Sequence, residues 1–264
     1  MSVWQGSEGR GLALSEVRRE VSEAEWQARL DAAACYRLIA HFGMSDLVYN
    51  HITVRVPGAE DRILINPFGW LYEEITASSL ITIDLEGRIL LNPHPDLGIN
   101  AAGYVIHSAI HRARPDVACV IHTHTTAGIA VACMECGLLP LTQTALRCFP
   151  VAYHDYEGPA LSLEERERLA ADLGSASVMI LRNHGLLTVG ASAAEAFNAM
   201  YWLEMACRAQ VAALAGGGAL HRLPEDVIAR SIHLYQPGTR RRFGLLEWPA
   251  MLRLLDRLDP SWRS

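Results

Sequence analysis

The sequence predicts a layered α/β (α+β) domain, and three observations carry that expectation. Short apolar, β-branched runs interleave with longer segments whose apolar residues recur at helical spacing. Turn chemistry separates the runs, as at Pro57-Gly58, Pro67-Phe68-Gly69 and Glu86-Gly87. The chain's 264 residues are 50% hydrophobic and 20% charged, enough to bury a real core and incompatible with wholesale disorder.

The elements follow in chain order. Residues 1–20 are polar and irregular and read as a loose arm. Ser22 and Glu25 form a capping-box pattern. Trp26, Leu30, Ala33, Ala34 and Leu38 then mark a helix that Gly43 ends. Residues 52–56, 63–65 and 80–83 read as short strands. Residues 101–113 read as a helix stopped near Pro115, and Val117 to Ile121 as a buried strand. A helix starts near Thr126, and Ser162 with Glu165 caps a charged helix to Leu173. Residues 178–181 and 186–189 are further apolar strands, followed by a long helix from Ala193 to Ala215. The triplet Gly216-Gly217-Gly218 is the best linker candidate. Residues 219–264 are proline-punctuated, with an apolar helix around Met251 to Leu258. The expected division is an arm over 1–20, a body over 21–218, and an extension over 219–264 packed on the body or on a neighbouring subunit. Arg240-Arg241-Arg242 reads as a solvated turn rather than an anion site.

Composition excludes several classes of function. A formal net charge of -6 argues against nucleic-acid binding. No run of about 18 uncharged apolar residues is present, so no membrane span is expected. The N-terminal residues lack the charged start and apolar core of a secretory signal. Six cysteines in a chain of this length read as reduced thiols of a cytoplasmic protein. Cys133-Met-Glu-Cys136 is a CxxC without a second pair, and core packing is the expectation for it.

Eleven histidines are the feature that most invites a metal or acid–base reading. His122-Thr123-His124 directly follows the strand 117–121, and residues i and i+2 of a strand share a face. His184 directly follows the strand 178–181. If those strands are neighbours, three imidazoles meet and leave a coordination position open, as in catalytic metal sites. His107 and His111 lie four apart on a helix, also a legitimate metal spacing, but their apolar helix favours packing or support beside the site. His51, beside Asn50, lies at a strand start, lining a pocket or lying on a surface loop.

These segments resemble the class II aldolase/adducin family. The strings that carry the likeness are residues 43–55 (GMSDLVYNHITVR), 66–72 (NPFGWLY), 107–116 (HSAIHRARPD), 121–124 (IHTH), 153–158 (YHDYEG) and 181–186 (LRNHGL). The phrases YNHIT, HSAIH, ECGLLPL, AYHDYEG and LRNHGL look most like the adducin head domain and its bacterial relatives. The resemblance implies a three-layer αβα sandwich around a mainly antiparallel sheet, often in homotetramers with active sites at subunit interfaces. It also implies a divalent metal ion on His122, His124 and His184, zinc first, with Mn, Fe, Co and Ni compatible with three imidazoles.

Departures from the family pattern bear on function. The acid/base carboxylate of the aldolases lies 19 positions before the first metal histidine, and that place is Gly103 here. A glycine has no proton to give. The family's phosphate-binding places read Asn50-His51, Phe68-Gly69 and Ala101-Ala102, and of these only Gly69 keeps the pattern, so a sugar phosphate is not expected. A tyrosine proton donor of some aldolases falls at Thr144, with a one-residue gap. The expected function is a divalent-metal-dependent enzyme on a small carbonyl or carboxylate compound. Its expected chemistry is carbon–carbon lyase, aldol or decarboxylation, with water or His51 in place of the missing acid/base. The alternatives are a non-catalytic adducin-like oligomeric scaffold and a metal-dependent oxygenase. Actin binding is not expected, since adducin relies on a long charged tail that this sequence does not show.

Overall fold

The computed structural model describes residues 3–4, 10–158 and 165–264. The first part of the chain holds β1 (Val3–Trp4), β2 (Arg10–Gly11), α1 (Leu14–Glu20), α2 (Glu23–His41), β3 (His51–Val56), β4 (Ala59–Ile65), β5 (Ile81–Asp84), β6 (Ile89–Asn92) and β7 (Ile99–Asn100). The middle holds α3 (Ala101–Ala113), β8 (Cys119–Thr123), α4 (Thr126–Ala132), α5 (Gln143–Leu146), β9 (Val151–His154), α6 (Glu165–Leu173), β10 (Val178–Leu181) and β11 (Gly185–Gly190). The rest is α7 (Ala193–Ala215), α8 (Glu225–Tyr235) and α9 (Trp248–Leu258).

Among the described residues, eight strands form one central sheet in the order β6-β5-β4-β3-β8-β11-β10-β9, and the short β2 adds a ninth beside β6. Every pairing is antiparallel except β10–β9 and β2–β6. Strand alternation sends side chains to two faces. Ile52, Val54, Cys119 and Ile121 join α2, α4 and α7 in one buried cluster. Val120, Met179, Leu181, Leu187 and Val189 face Ile106 and Ile110 of α3 and Leu169 and Leu173 of α6. Helices on both faces of a mainly antiparallel sheet make the αβα layering.

Local signals explain most boundaries. The Ser22 hydroxyl caps α2 by accepting from the Glu25 amide at 3.1 Å, and Gly43 at φ +66 ends the following turn. Thr125 and Ser192 cap α4 and α7 in the same way. The strand read from Val117 begins two residues later, at Cys119, because Val117 closes a turn onto the Arg114 carbonyl. Residues 14–20 are helical rather than irregular, with the Glu16 carboxylate accepting from the Ala13 amide. The Ser162 cap lies outside the described residues. The sequence reading misses α8, whose apolar residues Val227, Ile228, Ile232 and Tyr235 recur at helical spacing but are only half-buried.

Two cysteines correct an expectation. Cys35, Cys119, Cys148 and Cys207 are buried, but Cys133 and Cys136 are exposed rather than packed in the core. They sit in the turn that leaves α4, where the chain runs back over the surface. The last residues fold onto the body: Trp262 is 1% exposed, and its carbonyl accepts from the Ala77 amide at 3.0 Å.

Candidate metal centre

β8 sets two histidines on one side of its C-terminal end, and the β10–β11 turn delivers the third. The strand beside β8 is β11, not the one over 178–181, so His184 arrives on a hairpin turn rather than a neighbouring strand end. Asn183 holds that turn at φ +56, a left-handed conformation asparagine tolerates. A Cβ built on Gly185 would overlap the Thr123 carbonyl oxygen, so glycine lets the turn close onto β8.

The ring nitrogens of His122, His124 and His184 converge, all within 4.8 Å of one another. His124 Nε2 lies 2.7 Å from His122 Nε2 and 3.1 Å from His184 Nε2. His122 Nδ1 faces the Leu186 carbonyl at 2.9 Å, and His124 Nδ1 faces the Asp46 carboxylate at 3.0 Å. Both partners are acceptors, so each Nδ1 carries the hydrogen, and in the neutral ring each Nε2 is a bare lone pair. Two lone pairs 2.7 Å apart repel, and a cation shared by the two rings relieves that repulsion, with His184 Nε2 in reach of the same point. The donor set therefore fits a divalent metal ion, with the second-sphere acceptors that metal-bound histidines use. Burial, and then the neighbouring imidazoles, hold His122 well below the ordinary histidine value. Burial, with His124 beside it, brings His184 down to about 4. Neutral imidazole is the form that ligates.

Asp46 is the functional residue the sequence reading missed. It sits on the loop after α2, and its amide donates to the Asn50 side-chain oxygen, while the Asn50 amide nitrogen reaches the His122 carbonyl at 3.4 Å. Asn50 is thus fully buried and braces two elements that carry the site. Asp46 stands inside the quoted 43–55 string, but no fixed spacing ties a loop carboxylate to a histidine 78 positions away. Thr125, next to His124, donates to the buried Glu204 carboxylate of α7 and so anchors the strand's exit.

His51 opens β3 directly opposite His122. It is 4% exposed, and its ring centroid lies 5.9 Å from that of His122 and 5.6 Å from that of His107. Burial, and then the surrounding imidazoles, push it well below the ordinary histidine value. A Cβ built on Gly103 would overlap the His51 ring. His51 and Gly103 are therefore one feature: the imidazole fills the space a side chain at 103 would enter.

The remaining candidates divide. Gly69, at φ +109, turns the chain after β4 with open space above it, and Phe68 beside it meets Tyr49 at 6.5 Å between ring centroids. Thr144 lies half-buried on α5, which packs on α7 and α8, neither of which carries a cluster histidine. His107 and His111 both reach Thr53 rather than a metal position, from Nδ1 at 2.9 Å and Nε2 at 2.8 Å. Tyr156 edges the open side, 6.3 Å from His184 between centroids.

Comparisons with known proteins agree on one family. A profile described as the Class II Aldolase and Adducin N-terminal domain matches residues 31–211. A Pseudomonas aeruginosa protein named for class 2 aldolases is 49% identical, over 95% of this chain and 97% of its own. Rat alpha-adducin is 44% identical over 87% of this chain, which spans 33% of that longer protein. The crystal structure of an aldolase II superfamily protein from Pseudomonas syringae superposes with a TM-score of 0.88 at 48% identity, covering 94% of this chain and 100% of that one. An L-fuculose 1-phosphate aldolase from Glaciozyma antarctica superposes with a TM-score of 0.81 at 27% identity, over 98% of this chain and 97% of that one.

Proposed function

The chain belongs to the class II aldolase and adducin family, and from that premise we propose that it is a divalent-metal-dependent enzyme acting on a small carbonyl or carboxylate compound by carbon–carbon lyase chemistry. The observation that carries the reading is the convergence of the Nε2 atoms of His122, His124 and His184, with Nδ1 of the first two committed to acceptors. Those three residues would hold the ion, zinc in first place, and it would supply Lewis-acid polarisation of a substrate carbonyl. Asp46 and the Leu186 carbonyl orient the rings, and Asn50 fixes the loop that carries Asp46.

His51 is the proposed proton carrier. Its imidazole occupies the place that a side chain at 103 would take, and its ring centroid lies 5.9 Å from that of His122. Asn50 is committed to bracing and its neighbour is a buried ring, which leaves little for a phosphate; this favours an unphosphorylated hydroxy- or keto-acid. The likeness to an L-fuculose 1-phosphate aldolase supports the reaction class rather than that substrate. A homotetramer is the proposed assembly, supported by large apolar side chains exposed on the C-terminal segment: Leu234, Leu245, Leu246 and Leu258. The free cysteines suit a reducing, cytoplasmic setting.

The scaffold reading draws on the likeness to alpha-adducin. One experiment separates the two: load the chain with Zn, Mn, Fe or Co and screen hydroxy- and keto-acids for cleavage or decarboxylation. The enzyme reading expects turnover that His122→Ala abolishes and His51→Ala lowers by about 100-fold or more. Stoichiometric metal without turnover of any compound, or no metal at all, would favour the scaffold.

A further inference from the structure

The exposed pair Cys133 and Cys136 has no part in the proposed chemistry, yet Cys133 lies against the turn that carries His184. Cys133 ends α4, its amide bonding to the Ile129 and Val131 carbonyls. Its sulfur accepts from the Asn183 side-chain amide at 3.5 Å. Two more bonds join the same segments: the Asn183 backbone amide donates to the Ala132 carbonyl at 3.2 Å, and Arg182 Nη1 donates to the Met134 carbonyl at 2.7 Å. Asn183 holds φ +56 and directly precedes the ligand His184. The turn holding the thiols is pinned at its far end, where Gln210 Nε2 donates to the Gly137 carbonyl at 2.8 Å.

We propose that Cys133 and Cys136 form a redox-sensitive pair whose disulfide loosens the Asn183–His184 turn and weakens metal binding at the three histidines. The metal effect rests on the metal reading of that cluster. Both sulfurs are exposed, three apart on one turn, the arrangement of an attacking and a resolving thiol. The oxidant is a low-molecular-weight disulfide such as oxidised glutathione. One cysteine thiolate attacks it, breaking the small molecule's S–S bond and releasing one thiol. The second cysteine then attacks the mixed disulfide, forming the Cys133–Cys136 bond and releasing the second thiol. Two electrons and two protons pass from the pair to the two departing thiols. Drawing the Cys133 sulfur toward Cys136 takes it off the Asn183 amide, while the pinned Gly137 end keeps the turn from following. The loss falls on the residue that sets the direction of His184.

The test treats the purified chain with oxidised glutathione, maps disulfides by peptide mass, and follows zinc affinity by chelator competition and amide exchange at Asn183 and His184. The expected result is a Cys133–Cys136 disulfide, zinc affinity weakened about tenfold, the size of a second-sphere loss, and faster exchange at both amides, all reversed by a dithiol. Cys133→Ser, whose hydroxyl still accepts from Asn183, should bind zinc normally and ignore the oxidant. Absence of that disulfide, or a disulfide that leaves both affinity and exchange unchanged, would overturn the proposal. If the reduced chain takes up no zinc while the two amides still respond, the metal reading fails and the thiol–turn linkage stands.

Discussion

Two histidine groups on the same face of the sheet end in opposite chemistry. His107 and His111 on α3 are 0% and 1% exposed, and both turn a nitrogen toward the Thr53 hydroxyl. One hydroxyl donates to one ring and accepts from the other, which closes the meeting point of that pair, while His107 Nε2 and His111 Nδ1 stay buried without a hydrogen-bond partner. His122 and His124 turn their Nδ1 atoms outward to acceptors, and the Nε2 atoms of His122 and His184 both face that of His124. That group is left open at its centre. The spacing i,i+4 on a helix and i,i+2 on a strand are equally good metal signatures; what separates them is whether a hydroxyl or more imidazoles stand at the meeting point.

The difference can be attacked first through pH. Burial, with His111 beside one and Arg55 beside the other, brings His107 and His111 down to about 3, against an ordinary value of 6.5. Between those values the unfolded chain binds protons that the folded chain refuses, so stability rises with pH. The contribution is present above 6.5 and drains away as pH falls toward 3. From pH 7.5 to pH 5 the pair should cost roughly 4 kcal/mol of unfolding free energy in chelator-treated protein, read from urea titrations. His111→Leu should reduce that slope by its own share, and equal stability of the unmodified chain at both pH values would break the account of the closed group.

The open group answers to metal instead. His124→Ala should weaken zinc binding by at least about 100-fold, or about 3 kcal/mol, because a ligand matters more than its support. His111→Leu should leave zinc affinity within about twofold, and similar losses in both variants would erase the distinction. Gly103→Ala tests the seam between the groups, since its methyl must displace His51. A loss of roughly 2 kcal/mol in thermal unfolding is expected, as for other overpacked sites; an unchanged midpoint would mean the ring moves freely. Asp46→Asn is the mildest change, with about a tenfold fall in zinc affinity and a shape nearly conserved.

The fold was largely legible because its elements carry their own signals. Ser22 and Glu25 announced α2, and the apolar run 178–181 is β10 to the residue. The helix over 101–113 and the helix from Ala193 to Ala215 also fall where periodicity put them. What stayed hidden lacks a local pattern. The strand β9 is a half-buried segment beside β10 whose pairing is parallel and long-range. Cys133 and Cys136 looked apolar in sequence because their neighbours are, yet the turn after α4 lifts both thiols to the surface. At the candidate site, the three histidines were visible from strand-end spacing and family likeness together. Asp46 was not, since an orienting carboxylate depends on where a loop lands. Nor was the tie between His51 and Gly103, which is a matter of shared volume rather than of either residue's identity.

The central claim is that His122, His124 and His184 share one divalent ion. Equilibrium dialysis against zinc, with elemental analysis of the chelator-stripped and reloaded chain, tests it most directly. The account predicts one zinc ion per chain, lost in His122→Ala and kept in His107→Ala. Zinc bound equally well without His122, or no zinc bound by the unmodified chain, would contradict it.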